Sequence, residues 1–359
     1  MFDPLRPKPA QAVRTQPVSM GRAVTWATCK AASTRTANWA KAKLEESGFT
    51  PSALALYKAP VAFDLAGHAP ATGLVMRLLQ KDLYRDGDFH ASPTDPTPSY
   101  GRTYRNAWLA WGAQRVGSYE LSQATLNRLE RELHKDMWGV PENDSVPADQ
   151  RTYDLGTNAS VLCALLSGGR LATAEKIGGF MAGMVVHQAI ESKRVLLAAD
   201  AKGRLTEPAD PVDVSDAGLV VFDIGAPGQV YWPLGFALRG FAQLYRATGH
   251  DTWLEPADHI AAWLGRCHED HLTQITNAKL AWGAAELFAA TGKSNWADLA
   301  LKILGHILST QNPDGVWLRP EFASIDAQPM PITLDTALER MAYLSEIPRA
   351  LAMGGRPLP

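Results

Sequence analysis

Residues 231–250 read YWPLGFALRGFAQLYRATGH, and residues 251–267 after them read DTWLEPADHIAAWLGRC. The first stretch is rich in Ala, Leu and Gly nearly all round, as in a helix buried on every side. It ends at Gly249, a residue able to take the left-handed conformation that stops a helix and reverses the chain. The second stretch alternates apolar and polar residues at helical spacing, so one face is wet. The pair is predicted to be an inner and an outer helix joined as a hairpin.

The same unit recurs on either side. SALALYKAPVAFDLAGH (52–68) turns at Gly67, RTYRNAWLAWGAQRVGSYE (102–120) at Gly117, TNASVLCALLSGGRL (157–171) at Gly168 and Gly169, and KLAWGAAELFAATGKSN (279–295) at Gly292. A sixth inner helix, about TLDTALERMAYLSEI (333–347), has no partner after it, and an N-terminal helix within residues 21–46 has none before it. Pairing the two ends makes six hairpins, which predicts an all-α, single-domain (α/α)6 toroid in preference to an open helical solenoid. The expected organisation is a flexible segment at 1–18 and a barrel over 19–355, with a long mouth loop at about 190–228.

Composition excludes several classes. The chain has 359 residues, 46% hydrophobic and 20% charged, with a formal net charge of -2. It therefore has ample core and no electrostatic footprint for nucleic acid. No apolar run approaches the length of a membrane span. Cys29, Cys163 and Cys267 form no C-x-x-C pair, and the N-terminus lacks an apolar signal core; both predict a cytoplasmic protein. The expected partner is a small-molecule substrate, with no nucleic acid and no membrane, for a monomer or homodimer.

Loop lengths point to the working face. Turns inside hairpins are short, whereas connections from each outer helix to the next inner helix are long: residues 85–101, 138–154, about 191–228 and 313–331. Long loops without secondary structure in a compact domain are usually functional or disordered. Here they share the face bearing the N-terminal ends of the inner helices, where free N–H groups favour anionic or carbonyl-bearing ligands.

Polar residues at those ends are the candidate site. Lys58, Asp88, His90, Tyr104, Asp154 and Asp335 are the catalytic candidates, with Asp154 as the central acid or base. Tyr57, Asn106, Tyr153, Asn158, Tyr231, Trp232, Asn277, Lys279, Trp282, Glu321 and Glu339 are the substrate-binding candidates. Each has a plainer reading, such as a helix cap for Asp335 or solvent snorkelling for the lysines. Acidic, basic and phenolic groups within otherwise apolar helices nonetheless need partners, and such clusters are where pKa values shift for chemistry.

Two turns share a pattern of Gln, Asp-Gly and an aromatic: Gln80 with Asp86-Gly87-Asp88-Phe89, and Gln311 with Asp314-Gly315-Val316-Trp317. The second resembles the Q-x3-G-x-W core of squalene-cyclase-like terpenoid cyclases, and similar turns occur in six-hairpin glycosidases and unsaturated-uronyl hydrolases. The resemblance spans about Gln229 to Trp317 and implies the toroid fold, with structural roles for Gln311 and Trp317. No D-x-D-D acid of class II cyclases is present, DPVDVSD (210–216) being only loosely similar, and no aspartate-rich diphosphate motif or prenyltransferase zinc spacing. Resemblance to the uronyl hydrolases implies two carboxylates, and Asp88 and Asp154 stand at roughly comparable places.

Cys267-His268-Glu269-Asp270-His271 offers metal-ligating side chains, but all in one short segment, whereas zinc sites usually draw on two. A solvated helix end is the preferred reading, and no metal is expected. No Walker A loop, G-x-G-x-x-G or G-x-S-x-G occurs, so no cofactor is expected. The leading functional expectation is a cofactor-free acid–base enzyme of cyclase, isomerase or lyase type. The alternatives are a sugar-processing hydrolase or epimerase using Asp88 and Asp154, and a non-catalytic ligand-binding toroid.

Overall fold

A computed structural model describes residues 23–89, 101–207, 221–274 and 278–359. His90, Asn277, the segment 1–18 and part of the loop at 190–228 therefore lie outside the described residues. The helices are α1 (Trp26–Leu44), α2 (Ala53–Leu56), α3 (Ala59–Leu65), α4 (Ala69–Leu78), α5 (Arg102–Arg115), α6 (Tyr119–Arg131), α7 (Leu155–Ser167) and α8 (Leu171–Val186). They continue as α9 (Trp232–Thr248), α10 (Leu254–Leu264), α11 (Ala278–Thr291), α12 (Ser294–Ser309) and α13 (Met330–Met353).

The inner helices pack in the order α3, α5, α7, α9, α11, α13 and back to α3, so the toroid is closed. The hairpin glycines end their helices as expected: Gly67, Gly117, Gly169, Gly249 and Gly292 all have φ between 70° and 80°. The last hairpin is made from the chain ends, α1 packing on α13, and the Trp26 N–H donates to the Pro359 carbonyl at 3.0 Å. The Q-x3-G-x-W turn fastens this joint. Gln311 Nε2 donates to the Ala32 carbonyl (2.9 Å) and Thr36 Oγ1 (3.0 Å), and Trp317 Nε1 donates to the Ile307 carbonyl (2.8 Å). Gly315, at φ 93°, sits so close to α1 that a Cβ would lie 2.8 Å from the Arg35 carbonyl carbon.

Two features differ from the sequence reading. The first inner helix is broken into α2 and α3, with Tyr57 and Lys58 at the break. Pro60 explains it: its ring removes an N–H and clashes with the carbonyl four residues back, so the helix restarts there. The mouth also carries short antiparallel pairings, β1 (Tyr153–Asp154) with β3 (Ala198–Ala199) and β2 (Arg194–Leu196) with β4 (Val221–Asp223).

Helical spacing lines the axis of the ring. Tyr104, Trp108 and Trp111 share a face of α5; Trp232, Phe236 and Arg239 share one of α9; Lys279, Trp282 and Glu286 share one of α11; Asp335, Glu339, Tyr343 and Glu346 share one of α13. Stacked down the axis, these give a charged layer at the mouth, an aromatic layer below it and a second charged layer at the hairpin-turn end. Trp108, Phe236, Trp282 and Tyr343 form the aromatic layer, with ring centroids 5.1–6.3 Å apart. Small residues of α7, Gly156 and Cys163, face the larger groups: a Cβ on Gly156 would lie 2.5 Å from the Trp232 ring. Helices α9 and α11 approach through Gly235 and Gly283, where added Cβ atoms would meet backbone at 2.4 and 2.1 Å. That contact brings Lys279 beside Trp232.

Candidate active site

The mouth layer is built by five elements of the ring. The α2–α3 break supplies Tyr57 and Lys58, α5 supplies Tyr104, α9 supplies Trp232, α11 supplies Lys279, and α13 supplies Asp335 and Glu339 one turn apart. Lys58 Nζ lies 2.8 Å from Asp335 Oδ1 and also bonds Glu339 Oε2. Lys279 Nζ donates to the same Glu339 Oε2 at 2.7 Å. Asp335 and Glu339 also act on the buried Tyr57 phenol, favouring its protonated form. Tyr104 Oη has no hydrogen-bond partner among the described residues. Its ring packs 5.9 Å from Tyr57 and 5.2 Å from Trp232. Trp232 is half-buried at the rim, and Lys279 Nζ stands 5.0 Å from its ring centroid. Of the four charged side chains Asp335 is the most open, at 18% exposure.

The electrostatics follow from two cations sharing two carboxylates in a buried place. Burial opposes the charge on Lys58, but Asp335 and Glu339 outweigh it and raise its pKa. Lys279 has less support: burial, with Lys58 as a like-charged neighbour, outweighs Glu339 and lowers its pKa to about 8. Glu339 is also buried, yet Lys279 and Lys58 draw it down to about 2. Burial, with Asp335 and Glu339 adding to it, lifts Tyr57 well above the usual phenol range. Tyr104 is lifted likewise, again mainly by burial. The mouth thus holds, at neutral pH, a permanent cation, an ionised glutamate, two protonated phenols and an amine close to losing its proton.

Of the sequence candidates, Tyr57, Lys58, Tyr104, Trp232, Lys279, Trp282, Asp335 and Glu339 come together in or directly beneath this layer. Others have local duties. Asp88, placed as a catalytic carboxylate, is buried and engaged by Arg102, by Arg128 at 3.6 Å and by Asn106 Nδ2 at 3.0 Å. Asn106 accepts from the Phe89 N–H, so this pair pins the turn before α5. Asp154, expected as the central acid or base, caps α7 by accepting from the Thr157 N–H at 2.7 Å. Burial raises its pKa, and its second oxygen has no hydrogen-bond partner among the described residues. Asn158 spends its amide on the Val140 N–H and carbonyl and on the Asp154 carbonyl. Asp88 shares Arg102 and Arg128 with Asp144 and Asp154 caps α7, whereas Asp335 and Glu339 share Lys58 at the mouth.

Tyr153 sits in β1 with its ring edge-on to His134. It lines a surface cleft of about 650 Å³ with Arg131, Arg151 and Arg204, away from the axis. Tyr231 packs against Phe222 and His271, beside Cys267 and Asp270. Glu321 pairs with Arg319 on the loop before α13. In the Cys267–His271 segment, Cys267 Sγ donates to the Trp263 carbonyl and Asp270 accepts from the Gly228 N–H, so it anchors a mouth loop. Among the described residues no group of three or more His, Cys, Asp or Glu is placed to hold a metal ion, and no described helix is long and apolar enough to cross a membrane. The sequence reading missed Trp108, Phe236, Tyr343, Arg239 and Glu286. Their signal was the i, i+4, i+7 spacing below each mouth residue.

No family model and no curated protein matches the chain. Solved structures do. A D-mannose isomerase superposes with a TM-score of 0.64 at 11% identity, covering 93% of this chain and 99% of its own. A GH76 α-mannanase of Bacteroides thetaiotaomicron gives 0.62 at 12%, covering 88% and 95%. An unsaturated glucuronyl hydrolase specific for heparin gives 0.60 at 12%, covering 90% and 98%. The chain thus has the α/α toroid fold that these proteins share.

Proposed function

We propose that this protein is a carbohydrate-active isomerase or epimerase that moves protons on a small, open-chain sugar held in the mouth of the toroid. The observation that carries this reading is the mouth layer: two lysines, two carboxylates and two phenols around a half-buried tryptophan. Trp232 offers a platform for the apolar face of a sugar, and the surrounding donors and acceptors suit its hydroxyls. In the reaction, a base takes the proton from the carbon beside the carbonyl carbon. The resulting enol-type intermediate is reprotonated, on the other face of that carbon to give an epimer or on the neighbouring carbon to give an aldose–ketose isomer. Asp335, the most open carboxylate, stands as the base. Lys58 stabilises charge developing at the carbonyl, Tyr104 donates to it, and Lys279 stands beside the carbonyl carbon.

The isomerase neighbour agrees with this chemistry. Glycoside hydrolysis fits less well, because it requires one carboxyl kept protonated as general acid. Glu339 is held ionised by its two lysines, and the carboxyls pushed the other way are Asp154, a buried helix cap, and Glu286, which pairs with Arg246 at the turn end. Terpenoid-like cyclisation needs an apolar chamber, and the aromatic layer occupies that space. A non-catalytic binding toroid is favoured by a specific observation: the four mouth charges already satisfy one another. Incubation of the purified protein with a panel of aldoses and ketoses, with chromogenic glycosides alongside, decides between these. Aldose–ketose or epimer interconversion is the expected result. Glycoside cleavage alone, or saturable sugar binding without turnover, would refute the reading.

A further inference from the structure

We infer that Lys279 forms an imine with the open-chain carbonyl of the bound sugar, an inference that rests on the sugar reading and gives its chemistry a covalent step. The geometry separates the two lysines. Both meet the same Glu339 oxygen, but Lys58 also has Asp335 at 2.8 Å. Lys58 thus holds two carboxylates, while Lys279 has a share of one. An amine beside another ammonium in a desolvated site is the arrangement that frees a lysine to act as a nucleophile at neutral pH. Lys279 is also the more open of the two, 7% exposed against 2%, and it stands against the rim tryptophan on which the substrate would lie. The groups facing it are Glu339 and Asp335 from α13, Lys58 from the α2–α3 break and the Trp232 ring.

The step balances without an oxidant. The neutral amine attacks the carbonyl carbon, forming a C–N bond while the C=O π pair moves to oxygen. The oxygen leaves as water as the nitrogen lone pair closes C=N, and both hydrogens of that water derive from the amine, relayed through Asp335 or solvent. Protonation of the imine then withdraws electrons and acidifies the adjacent C–H, which Asp335 removes. Reprotonation of that same carbon on its other face restores the imine, and water then hydrolyses it, returning Lys279 and releasing the epimer; the imine route therefore serves epimerisation beside the carbonyl.

The test is reductive trapping on the whole chain. Protein is incubated with D-mannose, and separately with glycolaldehyde, in the presence of sodium cyanoborohydride, and adducts are located by peptide mass spectrometry. With a pKa of about 8, Lys279 carries on the order of a hundredfold more neutral amine at pH 7 than an ordinary lysine. It is therefore expected to be labelled first and to one equivalent, with a rate that levels off above pH 8. Lys279→Arg, which keeps the cation, should lose this adduct with its helical circular dichroism unchanged. Labelling spread over exposed lysines such as Lys202, with Lys279 spared while turnover persists, would overturn the imine and leave the sugar reading standing. Selective trapping of Lys279 without interconversion of any sugar would keep the imine and remove the isomerase.

Discussion

The two charged layers of the toroid are made from the same inner helices, yet they obey different electrostatics. At the mouth, two lysines grip Asp335 and Glu339, and Glu339 is drawn down to about 2. At the hairpin-turn end, arginines do the pairing: Arg246 holds Glu286 at 2.9 Å, and Arg115 holds Asp64 at 2.8 Å. Arg239 lies over the Trp282 ring at 3.6 Å. Burial there outweighs Arg239 and Arg246, so the pKa of Glu286 is raised. Arginine keeps its proton under almost any circumstance, whereas a buried lysine can give it up. The turn end is consequently a fixed clamp, and the mouth is the layer whose protonation can change near neutral pH.

The largest effect expected from breaking this contrast is catalytic. Lys279→Met should lower kcat/KM by roughly 10²–10⁴-fold in a sugar-interconversion assay, with an unfolding midpoint close to wild type. Equal loss from Arg239→Met, at the other layer, would erase the distinction. Next comes stability: Glu339→Ala leaves two lysines without their shared partner and should cost about 3–5 kcal/mol by urea unfolding. Gly315→Ala tests the fastening of the ring rather than either layer. Its positive φ and the contact with α1 predict a loss of about 1–3 kcal/mol.

The smallest effect sharpens the comparison through pH. Glu339 has a folded pKa below its ordinary value. Its stabilisation is present above about 4.5 and is lost as pH falls towards about 2. Glu286 is shifted upwards, so its ionisation costs stability as pH rises above 4.5. Wild-type stability curves should therefore lose an acid-range slope in Glu339→Gln and gain a more positive one in Glu286→Gln. The latter is expected to change neutral-pH stability by less than about 1 kcal/mol. Matching slopes in the two variants would show that the layers are not distinct.

Much of this was legible in the sequence because helix-ending glycines and loop lengths are local signals. The glycines fixed where each hairpin turned, and the long connections identified the mouth. Lys58, Lys279, Asp335 and Glu339 could be found because charge stands out in helices otherwise apolar all round. Asp88, Asp154, Asn106 and Asn158 stand apart from the mouth layer for a physical reason. A polar residue near a helix N-terminus can face the axis or satisfy backbone, and the path of the preceding loop decides which. The turns at Phe89 and Val140 engage Asn106 and Asn158, Asn106 and Arg102 hold Asp88, and Asp154 caps its own helix. The break at Pro60 was written in the sequence, but a good apolar period ran across it. The deeper layers were also encoded, since Trp282 and Glu286 follow Lys279 at three and seven residues, but that register matters only once the ring is known to close.

The most direct test of the account is proton exchange on the sugar itself. NMR of D-mannose in deuterium oxide with catalytic protein follows deuterium entering at the carbon beside the carbonyl. Exchange is expected with wild type, is lost in Asp335→Asn and Lys279→Met, and is retained in Asp154→Asn as long as that variant stays folded. Exchange that survives both mouth substitutions and disappears with Asp154 would contradict the claim that the lysine–carboxylate layer is the working site.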